Sequence, residues 1–353
     1  MSCYSAITGW GKYVPERVMT NADFEKVVDT TDEWITSRTG IKERHMVSPG
    51  ESASTLSIAA ARQALERAGI TGADLDLIIV ATVCGDYPFP STANLVQHAV
   101  GAQCGAFDIQ AACSGFLYGM TTAHQFIANG AAKHALVIGV EVLSRVVDFT
   151  DRTTCVLFGD GAGAVVLSAS DEPGGVLGHT IGSDGAKPEL LYIPAGGSAE
   201  PLTEEGIRAG RQYVRMQGGE VFKFATRIMG TAMEEALAQA GMTAHDMDLF
   251  IPHQANLRII EAASKRLGLP PEKVFVNIEH YGNTSAAAIP IALCEAIDQG
   301  RVYPGAHLGM VAFGAGLTWA ATVVKWTAPV PNVTTALHVI DRSTPKVEEP
   351  AAV

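Results

Sequence analysis

The apolar positions of this chain fall into two registers that repeat. Residues 65–81, "LERAGITGADLDLIIVA", read as the end of an amphipathic helix, a glycine stop, an Asp-containing turn and a buried strand. Residues 237–253, "LAQAGMTAHDMDLFIPH", run through the same series 172 positions later. A second echo pairs "FGDGAGAVVLSA" (158–169) with "FGAGLTWAATVV" (313–324): Phe-Gly-x-Gly, then a β-rich run. The pattern predicts two α/β halves related by duplication, at 1–170 and 220–326, each mixing βα units with a closing hairpin. Residues 171–219 contain "DEPGG" and "AGGSAEP" and few periodic apolar positions, so they read as a connecting segment whose loops could cover a site. The tail 327–353 has four prolines and is expected to be flexible, with room for short local structure around "TALHVI".

One junction stands apart. Residues 106–110, "AFDIQ", read as a short strand, and 114–129 are apolar on nearly all sides before stopping at "NG", which predicts a buried helix. Cys113 occupies the turn between them, among Ala111, Ala112, Ser114 and Gly115. That layout resembles a nucleophile elbow without its serine. Unpaired N–H groups and the helix dipole would favour thiolate there, and a neighbouring N–H would stabilise an oxyanion. Small residues that merely let a helix pack closely are the competing reading.

Composition narrows the field. Of 353 residues, 47% are hydrophobic and 18% charged, enough apolar material for a large core and against general disorder. The longest apolar runs, such as "LDLIIVATVC", are too short to cross a bilayer, and "MSCYSAITGWG" has no signal-peptide pattern. A cytoplasmic protein without membrane contact is expected. The net charge of −12 argues against nucleic-acid binding and requires a local basic patch for any acidic partner. Six cysteines, at 3, 84, 104, 113, 155 and 294, form no C-x-x-C and no zinc spacing, so reduced thiols and no metal are expected.

A nucleophilic cysteine needs partners from elsewhere in the chain. His253 ends the strand "DLFIPH" and precedes "QANLRII", which opens a helix; His124 and His280 read as structural. In "HYGNTSAAAIPIAL" (280–293), Asn283 precedes a small-residue helix, where a helix cap is the plain alternative. The turn "FGAGLTW" can aim a backbone N–H into a cavity, and neither it nor "GDGAG" opens a helix, which removes a phosphate loop.

Taken together, "TNADFEKVVDTTDEWITSRTGIKERH", "AACSG", "TDRTTCVLFGDGAGA", "GGEVFKFA", "PHQANLRII", "YGNTSAAAIP" and "FGAGLTWA" give residues 1 to about 326 a specific resemblance to the β-ketoacyl-acyl carrier protein synthase III family. The resemblance implies an α/β thiolase fold, a five-layered αβαβα sandwich of duplicated halves, in a homodimer. It implies a Cys113–His253–Asn283 triad, with the N–H groups of Cys113 and Ala315 as an oxyanion hole and with no cofactor. An acyl group would pass from acyl-CoA to Cys113 and then condense with a malonyl thioester on acyl carrier protein.

The resemblance places CoA on Thr30, Trp34, Arg38, Arg152, Phe222 and Asn256, with adenine between Trp34 and Arg152. It places acyl carrier protein on Gln254, Ala255, Asn256, Leu257, Arg258 and Ile259, together with Lys223, Lys265 and Arg266. A short acyl primer would be lined by Leu143, Phe158 and Leu191, and by Phe89 of the other subunit. The insertion near 194–213 and the tail depart from the family pattern. A ketosynthase or acyltransferase of secondary metabolism is the main rival, and an inactive binding paralogue the non-enzymatic one. Thiolase would want a cysteine in "FGAGLTW", and a 3-hydroxy-3-methylglutaryl-CoA synthase an added acid.

Overall fold

A computed structural model of the chain describes residues 4–330. The first half contains β1 (Tyr4–Tyr13), α1 (Asp32–Thr39), α2 (Ala53–Ala68), β2 (Leu77–Ala81), α3 (Thr92–Ala99), β3 (Gly105–Ile109), α4 (Gly115–Ala128), β4 (His134–Val142) and β5 (Asp160–Ser170). Its strands form one sheet in the order β1-β5-β4-β2-β3. The second half contains β6 (Gly175–Ser183), α5 (Gly218–Gln239), β7 (Leu249–Pro252), α6 (Leu257–Arg266), α7 (Ala288–Asp298), β8 (His307–Gly314) and β9 (Thr318–Lys325). Its sheet runs β7-β8-β9-β6. In both sheets the repeat strands, β2 and β7, pair in parallel with the first strand of the closing hairpin.

The layering follows from which faces are apolar. α4 and α7 lie between the sheets: Phe116, Leu117, Met120, Ile289, Leu293 and Ile297 pack in one core with Ile79 and Val137 from the first sheet and Ile251 and Met310 from the second. A helix covered by a sheet on either side must be apolar almost all round, which explains the composition of both. α2 and α3 cover the outer face of the first sheet, and α5 and α6 the outer face of the second. The result is the expected five-layered αβαβα sandwich.

Three expectations need correction. Gly175–Ser183, placed in the connecting segment, is strand β6, which pairs antiparallel with β9 as β1 pairs with β5. Three glycines and an exposed far end thin its apolar signal, and Gly182 is needed because a Cβ there would stand 2.4 Å from the Trp319 ring. The Phe-Gly echo is not structurally equivalent: Phe313 and Gly314 end β8, whereas Phe158 and Gly159 lie in the long link before β5. The tail is packed at its start, since Ala328 is buried and accepts a hydrogen bond from Trp326 Nε1 at 2.8 Å; 331–353 lie outside the described residues.

The central helices meet the sheets without slack. A Cβ on Gly139 of β4 would stand 2.1 Å from the carbonyl oxygen of Ala286, at the turn that opens α7. Backbone cannot yield as a side chain does. Gly139→Ala should therefore cost at least about 1–3 kcal/mol, as overpacking does, and should be seen as a lowered urea midpoint with an unchanged slope.

Candidate active site

Cys113 sits at the predicted junction. β3 ends at Ile109, a single 3-10 turn spans Ala112–Ser114, and α4 begins at Gly115. Ala112 is forced into the left-handed region, with φ 47°. The other described non-glycine residue with positive φ is Ser285, at 49°, in the turn before α7. Each such residue costs on the order of 1–3 kcal/mol, and both stand at the mouth of a buried helix.

The end of β8 joins the pieces. A Cβ on Gly314 would stand 2.6 Å from the Cys113 nitrogen, so the two backbones touch. The Thr318 hydroxyl ties the hairpin to the elbow through the Ala111 carbonyl at 2.9 Å, and it lies 3.1 Å from the Ala315 carbonyl. His253 follows β7, donates its backbone N–H to Val311 at 2.8 Å and sets its ring edge-on to Phe313, 5.7 Å between centroids. It is fully buried, and neither ring nitrogen has a hydrogen-bond partner among the described residues. Asn283 is clamped through its backbone to Leu157 at 2.8 Å and Gly159 at 3.0 Å. Its Oδ1 accepts from the Ser285 N–H at 2.9 Å, and its Nδ2 makes no hydrogen bond among the described residues. Asn283 is not the cap of α7, whose N-cap is Ala287.

Electrostatics corrects the expectation of a resting thiolate. Burial pushes the Cys113 thiol up to about 12; a hydrogen bond with Ser285 lowers it and the nearby Glu141 raises it, and desolvation wins. Burial alone holds His253 down to about 3, so the ring is neutral. Glu141, in β4, was not singled out from sequence. It is fully buried, and desolvation raises it to about 7 against hydrogen bonds from Val83, Cys84, Ser285 and Thr82. Its signal was one carboxylate within the apolar run "HALVIGVEV". His124 and His280 lie apart from these groups: His124 bonds Ser5, and His280 pairs with Glu43 at 3.2 Å.

Trp34, Arg38 and Arg152 do gather. Arg38 lies over the Trp34 ring at 4.6 Å and Arg152 at 5.3 Å, with Arg152 tied to the Asp29 carbonyl at 2.8 Å. Arg152 and Trp34 are thus in direct contact, and a purine between them requires that contact to open. Asn256 caps α6 through the Arg258 N–H and reaches the Arg38 carbonyl at 2.9 Å. Thr30 Oγ1 is buried without a hydrogen-bond partner among the described residues. Phe222 carries Arg258 over its ring at 5.3 Å.

Several residues expected to meet an acidic partner are not exposed. Gln254, Ala255 and Ile259 are buried, and Leu257 is partly buried in a core cluster. Gln254 is a strut, donating to Pro252 at 2.8 Å and Phe275 at 3.2 Å and accepting from Asn277 at 3.0 Å. Arg258 and Lys265 are exposed; Lys223 pairs with Glu220 and Arg266 with Glu234. Of the primer residues, Leu143, Phe158 and Leu191 pack together with Val214, which follows the insertion. Phe89 stands away from them, 85% exposed. Among the described residues no cluster of side chains could hold a metal ion, and no helix is long and apolar enough to cross a membrane.

A neutral His253 has a consequence for stability. Between pH 6.5 and about 3 the unfolded chain binds a proton there that the folded chain does not, so stability falls as pH drops through that window. From pH 6.5 to 4.5 the loss is on the order of 2–3 kcal/mol. His253→Gln should remove that component, which urea titrations of both proteins at the two pH values would measure.

Comparison with known proteins converges on one family. Family models described as 3-oxoacyl-[acyl-carrier-protein (ACP)] synthase III and its C-terminal part match residues 107–185 and 237–326. A β-ketoacyl-[acyl-carrier-protein] synthase III of Roseiflexus sp. (strain RS-1) is 53% identical over 329 residues, 93% of this chain and 100% of the relative. The one of Symbiobacterium thermophilum is 54% identical over 91% of this chain and 97% of its own. The crystal structure of 3-oxoacyl-[acyl-carrier-protein] synthase III from Aquifex aeolicus VF5 superposes with a TM-score of 0.84 at 48% identity, covering 91% of this chain and 100% of that one. The priming β-ketosynthase of the R1128 polyketide pathway gives 0.86 at 36% identity, covering 94% and 98%. On this similarity across nearly its whole length, the chain belongs to the 3-oxoacyl-[acyl-carrier-protein] synthase III family of thiolase-fold condensing enzymes.

Proposed function

We propose that the protein starts fatty-acid synthesis by transferring a short acyl group from acyl-CoA to Cys113 and condensing it with malonyl-acyl carrier protein. The observation that carries the reading is the pair of buried, unpartnered ring nitrogens of His253, held by the strand β8 whose end touches Cys113. Buried polar groups ordinarily find partners, so groups left without one suit a ligand atom that comes and goes.

The steps follow from the charges. The Cys113 sulfur attacks the acyl-CoA carbonyl carbon, and the N–H groups of Cys113 and Ala315 receive the oxyanion until the CoA thiolate leaves. The malonyl thioester then loses CO2, and its enolate oxygen takes hydrogen bonds from His253 and Asn283. Both donors are uncharged, and in a dry pocket such donors are already in place when negative charge develops. The enolate carbon attacks the acyl-cysteine and frees Cys113 with release of 3-ketoacyl-acyl carrier protein. No step needs a metal or other cofactor.

The primer pocket is short on the reading that Leu143, Phe158 and Leu191 close it, with Phe89 supplied by the second subunit of a homodimer. Two features support the dimer. Strand β3 is the open edge of its sheet, with Phe107 36% exposed, and the loop before α3 presents Tyr87 and Phe89, 59% and 85% exposed. An unpaired edge beside exposed aromatic rings is a site for pairing with another copy. CoA is assigned to the Trp34 face and acyl carrier protein to Arg258 and Lys265, with Lys223 and Arg266 at the rim. The enzyme is assigned to the cytoplasm.

The deciding experiment is to incubate the protein with radiolabelled acetyl-CoA, map the label by peptide, and then add malonyl-acyl carrier protein. Label should sit on Cys113 alone and leave as 3-ketoacyl product. Cys113→Ser should take no label. Label on Cys84 or Cys155 would overturn the assignment.

Partner choice is read separately. Arg258→Glu should slow use of malonyl-acyl carrier protein by about tenfold or more at low salt while leaving acetylation of Cys113 by CoA intact, because reversed charge slows association with an acidic partner. Added salt should narrow the difference. Equal loss of both half-reactions would place Arg258 in the CoA site instead.

A further inference from the structure

The condensation steps leave one buried acid beside the reacting sulfur without a task. Glu141 Oε1 accepts from the Ser285 hydroxyl at 3.1 Å, and Oε2 accepts from the Val83 N–H at 3.1 Å and lies 3.4 Å from Thr82 Oγ1. The Cys84 thiol also bonds it. The turn that carries Cys113 packs against the turn that opens with Ser285, which brings the Ser285 hydroxyl to the Cys113 thiol. Ser285 keeps that place in a left-handed backbone, φ 49°, while its N–H holds Asn283. The titratable groups around Glu141 are Cys84 from the loop after β2, Cys113 from the turn before α4, and Asp160 of β5, which acts on Cys84; all three are acids. No cation among them neutralises the carboxylate.

We propose that Ser285 and Glu141 form a proton relay for the acylation of Cys113. As the sulfur attacks the thioester carbonyl carbon, the S–H proton passes to Ser285 Oγ and the Ser285 O–H proton passes to the Glu141 carboxylate. The tetrahedral oxyanion then collapses, the carbon–sulfur bond to the leaving thiol breaks, and the leaving thiolate recovers a proton along the same path in reverse. Glu141 ends ionised, as it began. Ser285 touches the reacting sulfur, and Glu141 acts through it.

The alternative base is His253. Deprotonating the thiol with that ring would put an imidazolium and a thiolate into a desolvated pocket that already holds a carboxylate. The relay keeps one negative charge throughout and only moves it from oxygen to sulfur, which avoids the cost of creating buried charge. It also leaves His253 neutral for the enolate. Thiol desolvation and a carboxyl raised to about 7 agree with such an exchange.

The inference rests on Cys113 being the acylated nucleophile. The test is the rate of Cys113 alkylation by iodoacetamide between pH 6 and 9.5, with the modified peptide identified by mass, for wild type, Glu141→Gln and Ser285→Ala. The relay requires a wild-type rate that rises and bends over near pH 7, and about a hundredfold loss at pH 8 in either variant, within the range of a lost general base. Both variants should instead rise steadily with pH. If Glu141 acts only through its charge, removing it favours thiolate and Glu141→Gln reacts faster at every pH, which overturns the proposal; so does an unchanged rate. Circular dichroism controls for folding. Ser285→Ala leaves β4 whole should the glutamine variant unfold, and the wild-type profile needs no variant: a rise without a bend is fatal to the relay. Wild-type modification or acylation at another cysteine sinks the nucleophile assignment, whereas Cys113 modified equally fast in all three proteins sinks the relay alone.

Discussion

The backbone of Gly314 lies against the amide of Cys113 with no space for even a methyl group, a Cβ there falling 2.6 Å from the nitrogen. The site depends on that contact. Cys113 belongs to the first half and Gly314 to the second, so the halves must meet in one register for the elbow and the end of β8 to share a cavity. Val311 and Phe313, a few positions back along β8, fix the backbone and ring of His253. Thr318, just beyond the turn, ties the hairpin back to Ala111. A shift of one residue along β8 would turn its side chains to the opposite face and separate all of these groups.

Two central helices enforce the register. α4 and α7 are pressed between sheets, and each is entered through a turn with a left-handed non-glycine residue, Ala112 or Ser285. Such conformations persist only where the surroundings over-determine them. Here the surroundings are the two sheets, and the strained residues are those next to Cys113 and Asn283. The duplication therefore supplies one strained helix mouth per half, and the facing mouths bring together a thiol and an amide from opposite ends of the chain.

Desolvation sets the chemistry of the resulting cavity. It keeps the thiol protonated, the imidazole neutral and the Glu141 carboxyl near 7. A dry site of this kind strengthens neutral hydrogen bonds to a developing oxyanion and penalises separated charge. Arg38, Arg152 and Arg258 are exposed. Arg38 and Arg152 flank Trp34, and Arg258 flanks Phe222, at the surface.

The sequence by itself determined the duplication, the strand–turn–helix at Cys113, the position of His253 after a repeat strand and the buried character of α4. All of these are local periodicities, and a period of 2 or 3.6 is written wherever one face of an element meets a core. It could not show β6, because three glycines and an edge position weaken the alternation, nor that Gln254 points inward as a strut. The surroundings of Glu141 were not legible for a further reason. Its oxygens meet Thr82, Val83, Cys84 and Ser285, which lie up to 144 positions away in the chain. Whether a carboxyl, thiol or imidazole is charged depends on which distant atoms exclude water from it, and only the tertiary structure brings those atoms to it.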